Sequence, residues 1–325
     1  MDSKALEAEC AVLEARVDAL GKELAESRKQ NKAIAKQLAR IGQTKPTPPT
    51  KPARLPKGGY IRAIIGDTHG CHLDKAAWAA CMADLKSLDI AQVVLLGDHI
   101  ECSGFLAEHQ SPFTISQAKY SYAQDLDAAN QWLNELQECC PSAEYHMIQG
   151  NHCERVEKWI MGHTLANDDD RKLLLEVLDP EYRLNLATRK IKFYRRDQFN
   201  DTCSERGTLK LGNCLFVHEV STAKNAARIA VDRYATNVVF GHSHRPDISY
   251  SRKPGVGQIM AANPGCLCTL VPVWQLSRSS INDWGHGYSL QIVAPDESFL
   301  HINVQIVDGK SSLMPLTLSR KRKKK

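Results

Sequence analysis

Residues 60–70 read YIRAIIGDTHG. An apolar run of strand length, Ile61–Ile65, stops at Gly66 and hands over to Asp67, Thr68 and His69. The same arrangement recurs four times. Val93–Leu96 meets Gly97-Asp98, and Tyr145–Ile148 leads through Gln149 to Gly150-Asn151-His152. Cys214–Val217 meets His218, and Val238–Phe240 meets Gly241-His242-Ser243-His244. Each run is rich in β-branched or aromatic residues, as strands are. Four of the five have glycine directly before the polar residue, which lets a chain turn sharply off a strand. Helical stretches around 74–88, 116–139, 168–178 and 222–233 lie between several of the runs. Strands alternating with helices predict an α/β body. Beyond about residue 255 only strands and turns are expected, Ser289–Val293 and His301–Ile306 being the clearest. Ligands of open α/β sheets bind beyond the carboxyl ends of the strands. The polar residues that follow the five runs are therefore expected to meet in one pocket.

Two aspartates, an asparagine and several histidines, without thiolate, suit a borderline divalent ion such as Mn, Fe, Zn or Ni. Seven donors exceed one tetrahedral site but suit two ions sharing a carboxylate. Such a pair clamps the attacking and leaving oxygens of a phosphoryl displacement.

The ordered blocks GDTHG, GDHIE, GNH, a lone His218 and GHSH resemble those of the calcineurin-like metallophosphoesterases, over roughly residues 60–265. The stand-alone enzymes of bacteriophages and bacteria are the most similar. The resemblance implies an α/β fold: a β-sandwich of two mixed sheets flanked by helices. It implies two divalent metal ions, manganese first among them. Asp67, His69 and His244 would hold one ion, and Asn151, His218 and His242 the other, with Asp98 bridging them. His152 would act with Asp98 in catalysis, contacting the phosphate and protonating the leaving oxygen. The implied activity is hydrolysis of a phosphoester by a metal-activated hydroxide, the substrate a nucleic acid or nucleotide. A broad phosphatase on phosphoproteins or small esters is the enzymatic alternative, and a nucleic-acid-binding tether with an idle site the other.

Departures from the family pattern narrow this. The second block continues Asp98-His99-Ile100-Glu101-Cys102-Ser103-Gly104 without the Asp-Arg-Gly ending of protein phosphatases, and Gln149 stands where an arginine often precedes the third block. A dedicated Ser/Thr protein phosphatase is not expected. Cys153 stands where an acidic residue is frequent. Arg155 and His99 are the candidates for contact with substrate.

The rest of the chain divides by composition. Residues 1–44 are read as a coiled coil, with Leu6, Leu13, Leu20, Ser27, Ile34 and Ile41 on one seam and Cys10, Val17, Leu24, Asn31 and Leu38 on the other. A homodimer through residues 3–42 is expected. Residues 45–58, KPTPPTKPARLPKG, carry five prolines and read as a semi-rigid spacer. Residues 59–318 form the metallophosphoesterase domain, and residues 319–325 a basic tail too charged to fold. The net charge of +5 is unevenly placed. RKRKKK at 320–325 contributes +6, the spacer +4 and residues 1–44 +1, leaving −6 on residues 59–319. An acidic body needs positive ions wherever it handles an anion, and the basic extensions suit phosphates of nucleic acid. No apolar run spans a membrane, and no secretory signal is evident. The 11 cysteines then read as reduced thiols, in the cytoplasm or in a host's cytoplasm if phage-encoded. Cys266-x-Cys268 lacks a partner pair and is not read as a zinc site. Asp168-Asp169-Asp170 reads as a helix start, Trp132, Leu133 and Leu136 as core, and His286 as structural, while His72 and His99 lie beside ligands and read as supporting them or as exposed.

Overall fold

The computed structural model describes residues 13–26, 28–29, 32, 45–47, 55–102, 121–163, 168–271 and 282–313. The chain forms two units, residues 1–43 and 44–325. In the first, residues 13–26 are helical. Leu13, Val17, Leu20 and Leu24 share one face at 4-3-4 spacing and are 58%, 67%, 57% and 53% exposed. The remaining seam positions lie outside the described residues, as do the basic tail and residues 48–54 of the spacer.

The second unit is built on two mixed sheets. Seven strands lie in the order β12-β11-β10-β1-β2-β3-β4. They are β1 (Tyr60–Ile65), β2 (Ile90–Leu95), β3 (Glu144–Ile148), β4 (Ile191–Tyr194), β10 (His286–Val293), β11 (Phe299–Val307) and β12 (Lys310–Ser311). β1 to β4 are parallel, and β10 to β12 add antiparallel strands on the other side of β1. The second sheet has the order β5-β6-β7-β9-β8. It comprises β5 (Thr208–Leu211), β6 (Cys214–Val217), β7 (Asn237–Phe240), β8 (Pro246–Lys253) and β9 (Gly257–Pro264).

Alternation along a strand decides which layer each side chain joins. Ile64, Val94, Leu96, Ile148, Phe216, Val239 and Met260 meet between the sheets. Leu215, Val217, Val238 and Phe240 point the other way, onto Ala226, Ala227, Ala230 and Val231 of a helix at Ala226–Arg233. The other helices are α1 (Lys75–Lys86), α2 (Tyr122–Cys139), α3 (Asn151–His163), α4 (Asp168–Leu178) and α5 (Pro180–Arg183), which makes the helix at Ala226–Arg233 α6. Asp74 caps α1 by accepting from the amides of Ala76 and Ala77. Asp168–Asp170 open α4 as expected. Trp132, Leu133 and Leu136 of α2 are buried, and Trp132 meets Trp78 of α1 edge-on at 5.6 Å. No described helix is long and apolar enough to cross a membrane.

All seven anticipated strands are present. α3, α5 and strands β4, β5, β8, β9 and β12 were not individually anticipated. β8 shows why: it alternates half-buried with exposed residues, so no apolar run marks it.

Candidate active site

The parallel strands β1, β2 and β3 of one sheet and β6 and β7 of the other end on the same side of the sandwich. Their following residues converge. His69 Nε2 lies 3.1 Å from His244 Nε2, and His244 Nε2 lies 3.2 Å from Asp67 Oδ1. A second cluster centres on Asn151 Oδ1, with His218 Nε2 and His242 Nδ1 each at 2.9 Å. Asp98 joins the two. Its Oδ2 lies 3.1 Å from His218 Nε2 and 3.8 Å from His152 Nε2, while Oδ1 accepts from the His152 amide at 2.8 Å.

The backbone is bent to make this possible. Asp67, His69, Asp98, His242 and His244 have φ of 53°, 50°, 49°, 67° and 58°. Left-handed backbone is uncommon outside glycine, and where it clusters it marks a functional constraint. The glycines before these residues therefore do something other than the sequence suggested. Gly66, Gly150 and Gly241 are not in left-handed backbone; only Gly97 is, at 109°. What Gly150 supplies is clearance: a Cβ there would lie 2.1 Å from Asp98 Oδ1. Hydrogen bonds lock the first two blocks together, Asp67 N to Gly97 O at 3.1 Å and His69 N to Asp98 O at 2.9 Å.

Two side chains to which the motif reading gave no role complete the arrangement. Glu101 is fully buried, with Oε2 2.6 Å from His69 Nδ1 and 3.1 Å from His152 Nδ1. A carboxylate only accepts, so both rings carry their proton on Nδ1 and turn Nε2 toward the cluster. His218 is set the same way, its Nδ1 donating to Leu96 O at 2.9 Å. Asp125 of α2 binds both loops. Oδ1 accepts from Cys71 N at 3.0 Å, and Oδ2 from Glu101 N at 2.8 Å and Cys102 N at 3.2 Å. Glu101 had a signal, the acidic residue three places after Asp98. Asp125 lies near the start of a helix with no motif around it.

Of the two candidate substrate contacts, Arg155 is at the site, Nη2 3.2 Å from His152 Nε2 and Nη1 3.3 Å from Glu101 O. His99 is turned inward and fully buried. Its Nδ1 meets Thr68 Oγ1 at 3.0 Å, its Nε2 accepts from Gly97 N at 3.1 Å, and burial lowers its pKa to about 3. It supports the loops and leaves no ring nitrogen for a ligand. Cys268, set aside in the sequence, stands beside the first cluster with Sγ 3.9 Å from His244 Nδ1.

The electrostatics are those of a cation site. Asp67, Asp98 and Glu101 are fully buried carboxylates in one pocket. Burial opposes their ionisation, yet the surrounding imidazoles hold Asp98 well below the usual carboxylate range. Burial would depress His244 and His218, but Asp67 and Asp98 outweigh it, raising His244 to about 9 and His218 above its usual value. Asp98 Oδ2 is buried without a hydrogen bond. Donor atoms bound at 2.0–2.2 Å to a common ion stand about 3.0–3.5 Å apart. The close approach of two imidazole nitrogens, and of two more onto one amide oxygen, matches that spacing. His69-His244-Cys268, His69-Asp98-His152 and Asp98-His218-His242 are each compact enough to hold an ion. The residues fit a divalent metal.

Residues 122–275 match the profile described as the calcineurin-like phosphoesterase superfamily domain. No curated protein matches the sequence. Among solved structures, a Vps29 single mutant from Entamoeba histolytica is 13% identical, the match covering 78% of this chain and 96% of that one at a TM-score of 0.36. Nuclease MPE from Pseudomonas putida is 13% identical, covering 74% and 87% at 0.26. TT1561 from Thermus thermophilus is 12% identical, covering 75% and 99% at 0.28.

Proposed function

We propose that this chain, which belongs to the calcineurin-like phosphoesterase superfamily, hydrolyses phosphodiesters of nucleic acid or nucleotides. The observation that carries this is Asp98 Oδ2, a buried oxygen without a hydrogen bond where the two ligand clusters meet. Two divalent ions, held by Asp67, His69 and His244 and by Asn151, His218 and His242 with Asp98 between, would supply Lewis-acid charge and a nucleophilic water at neutral pH.

The chain's own groups do the rest. Glu101 holds the His152 ring by Nδ1 and keeps Nε2 facing the site. Burial disfavours a proton on His152, but Asp98 and Glu101 more than offset this and raise its pKa. A ring that carries a second proton can deliver it from Nε2 to a leaving oxygen. Arg155, 3.2 Å from that nitrogen, presents a guanidinium to non-bridging phosphoryl oxygens. It takes the place of the two arginines missing from the motif positions.

With added manganese, the protein is expected to hydrolyse a bis-aryl phosphate faster than a mono-aryl phosphate. Asp98→Asn should lose metal and turnover together. His152→Ala should keep metal and lose about 10²–10⁴-fold in rate. A faster monoesterase would make it a broad phosphatase. Absence of turnover in the metal-loaded protein would leave a binding scaffold.

A further inference from the structure

The segment 195–207 between β4 and β5 takes no part in the chemistry above, yet lies against it. It closes one side of a cavity of about 190 Å³ whose wall includes His218 and Glu219. The cavity thus holds in its wall a candidate metal residue together with Arg196, Arg206 and Tyr234. It is smaller than the roughly 300–1,000 Å³ pockets that engulf a drug-sized ligand. That is room for one unit of a longer substrate.

The segment is a built platform. Gly207 N donates to Gln198 O at 3.1 Å, and Thr202 N donates to Asn200 Oδ1 at 2.9 Å. Gly207 has φ of 63°, and a Cβ there would fall 2.9 Å from the Arg196 Cα. The end of the segment is folded directly onto its start.

Its charges are unequally matched. Arg196 is answered by Glu219 at 3.1 Å and Glu154 at 3.5 Å. Glu205 also lines the cavity, but Arg206 forms no ion pair with it or with any other described carboxylate. The Arg206 guanidinium lies instead over the Phe199 ring, 4.9 Å from its centre. Phe199 is 62% exposed, a large aromatic face next to a cation with no carboxylate partner among the described residues.

We propose that Phe199, Arg206 and the cavity walled by Tyr234 form a subsite for single-stranded nucleic acid. One base stacks on Phe199, Arg206 takes the adjoining phosphate, and the cavity receives the nucleotide next to the scissile bond. This rests on the phosphodiesterase reading and names its substrate form. Aromatic platforms beside cations bind single strands without regard to sequence, because every base offers a π-face. A duplex keeps its bases stacked on one another and cannot use Phe199.

The test is fluorescence anisotropy on the full chain in EDTA, so that no hydrolysis is needed. The probes are labelled octathymidylate, an abasic strand of equal length and charge, and a hairpin duplex. Any binding by the basic extensions would be common to all three, while Phe199 distinguishes the first. Octathymidylate should bind most tightly. Phe199→Ala should weaken it roughly 5- to 150-fold and erase its advantage over the abasic strand, and Phe199→Tyr should restore it. Arg206→Ala should reduce the log–log salt slope by about 0.7, and Arg206→Lys should retain it. Unchanged melting temperatures would show that the variants fold. Equal binding of octathymidylate and abasic strand by the unaltered protein, equal binding of the duplex, or a Phe199→Ala effect below twofold would each overturn the subsite. Preferential octathymidylate binding without manganese-dependent hydrolysis would uphold the subsite and sink the phosphodiesterase. Hydrolysis of aryl phosphates without that preference would do the reverse.

Discussion

Glu101 serves two rings at once, His69 at 2.6 Å and His152 at 3.1 Å, one in a ligand cluster and one in the proposed proton transfer. Glu101→Gln retains the shape and an accepting oxygen but removes the negative charge that both Nδ1–H groups face. Metal affinity is expected to fall roughly 10- to 100-fold. At saturating metal, kcat should still fall on the order of 10²-fold, because the His152 ring loses its orienting charge. Calorimetric metal titration and saturating-metal kinetics separate the two effects, and a normal kcat would reduce Glu101 to a strut. At this scale the sequence was informative in proportion to spacing. Asp67, His69, Asp98, Asn151, His152, His218, His242 and His244 each follow an apolar run closely, so a strand end placed them. Asp125 reaches three backbone amides from a helix far along the chain, and no local pattern encodes that contact. His99 was misjudged because adjacency to Asp98 says nothing about which way a ring turns.

Among elements, β1, β2, β3, β6 and β7 were legible because their buried faces leave largely apolar runs, interrupted by the buried Arg62 in β1 and His146 in β3. The helix after Asn151 was missed because its first residues are also site residues, and their chemistry masked its periodicity. β11 carries a pH-sensitive histidine remote from the clusters. His301 Nε2 meets Asn303 Oδ1 at 2.9 Å, Gln291 Nε2 lies 3.4 Å from its Nδ1, and burial lowers its pKa to about 4. The unfolded chain binds this proton near pH 6.5 and the folded one only near pH 4. The stability due to a neutral His301 is therefore complete above pH 6.5 and is lost as pH falls from there toward 4. Chemical denaturation of the unaltered protein and of His301→Gln across roughly pH 4–7 checks this. The difference in unfolding free energy between the two should shrink as pH falls, by up to about 3 kcal/mol. A constant difference would show that His301 is open to solvent.

For the whole molecule, the exposed stripe of Leu13, Val17, Leu20 and Leu24 sets the assembly question. We propose that these four large apolar side chains at heptad spacing, each more than half exposed, form the seam of a coiled coil. A second copy would be a fitting partner, since the heptad reading puts Glu23 and Arg28 at positions that pair across a parallel dimer. Deleting residues 1–43 is expected to halve the mass seen by light scattering, while hydrolysis of a small aryl ester continues. An unchanged mass would remove the coil from the assembly. The sequence could propose this seam from periodicity alone, because a coil's register is local. The meeting of two sheets around one pocket depends on contacts between distant segments, so there it could mark only strand ends.

The left-handed backbone at Asp67, His69, Asp98, His242 and His244 is held by the sheets and by hydrogen bonds between loops. The cradle is therefore expected to keep its shape without an ion, and the choice of ion to depend on supply. Protein stripped by chelation should keep its fold and take up whichever divalent ion is offered, in the order set by intrinsic affinity. Cultures grown on different trace metals should yield one structure with several catalytic temperaments, distinguishable by elemental analysis and rate. A stripped sample that lost its circular dichroism would show the ion to be part of the scaffold.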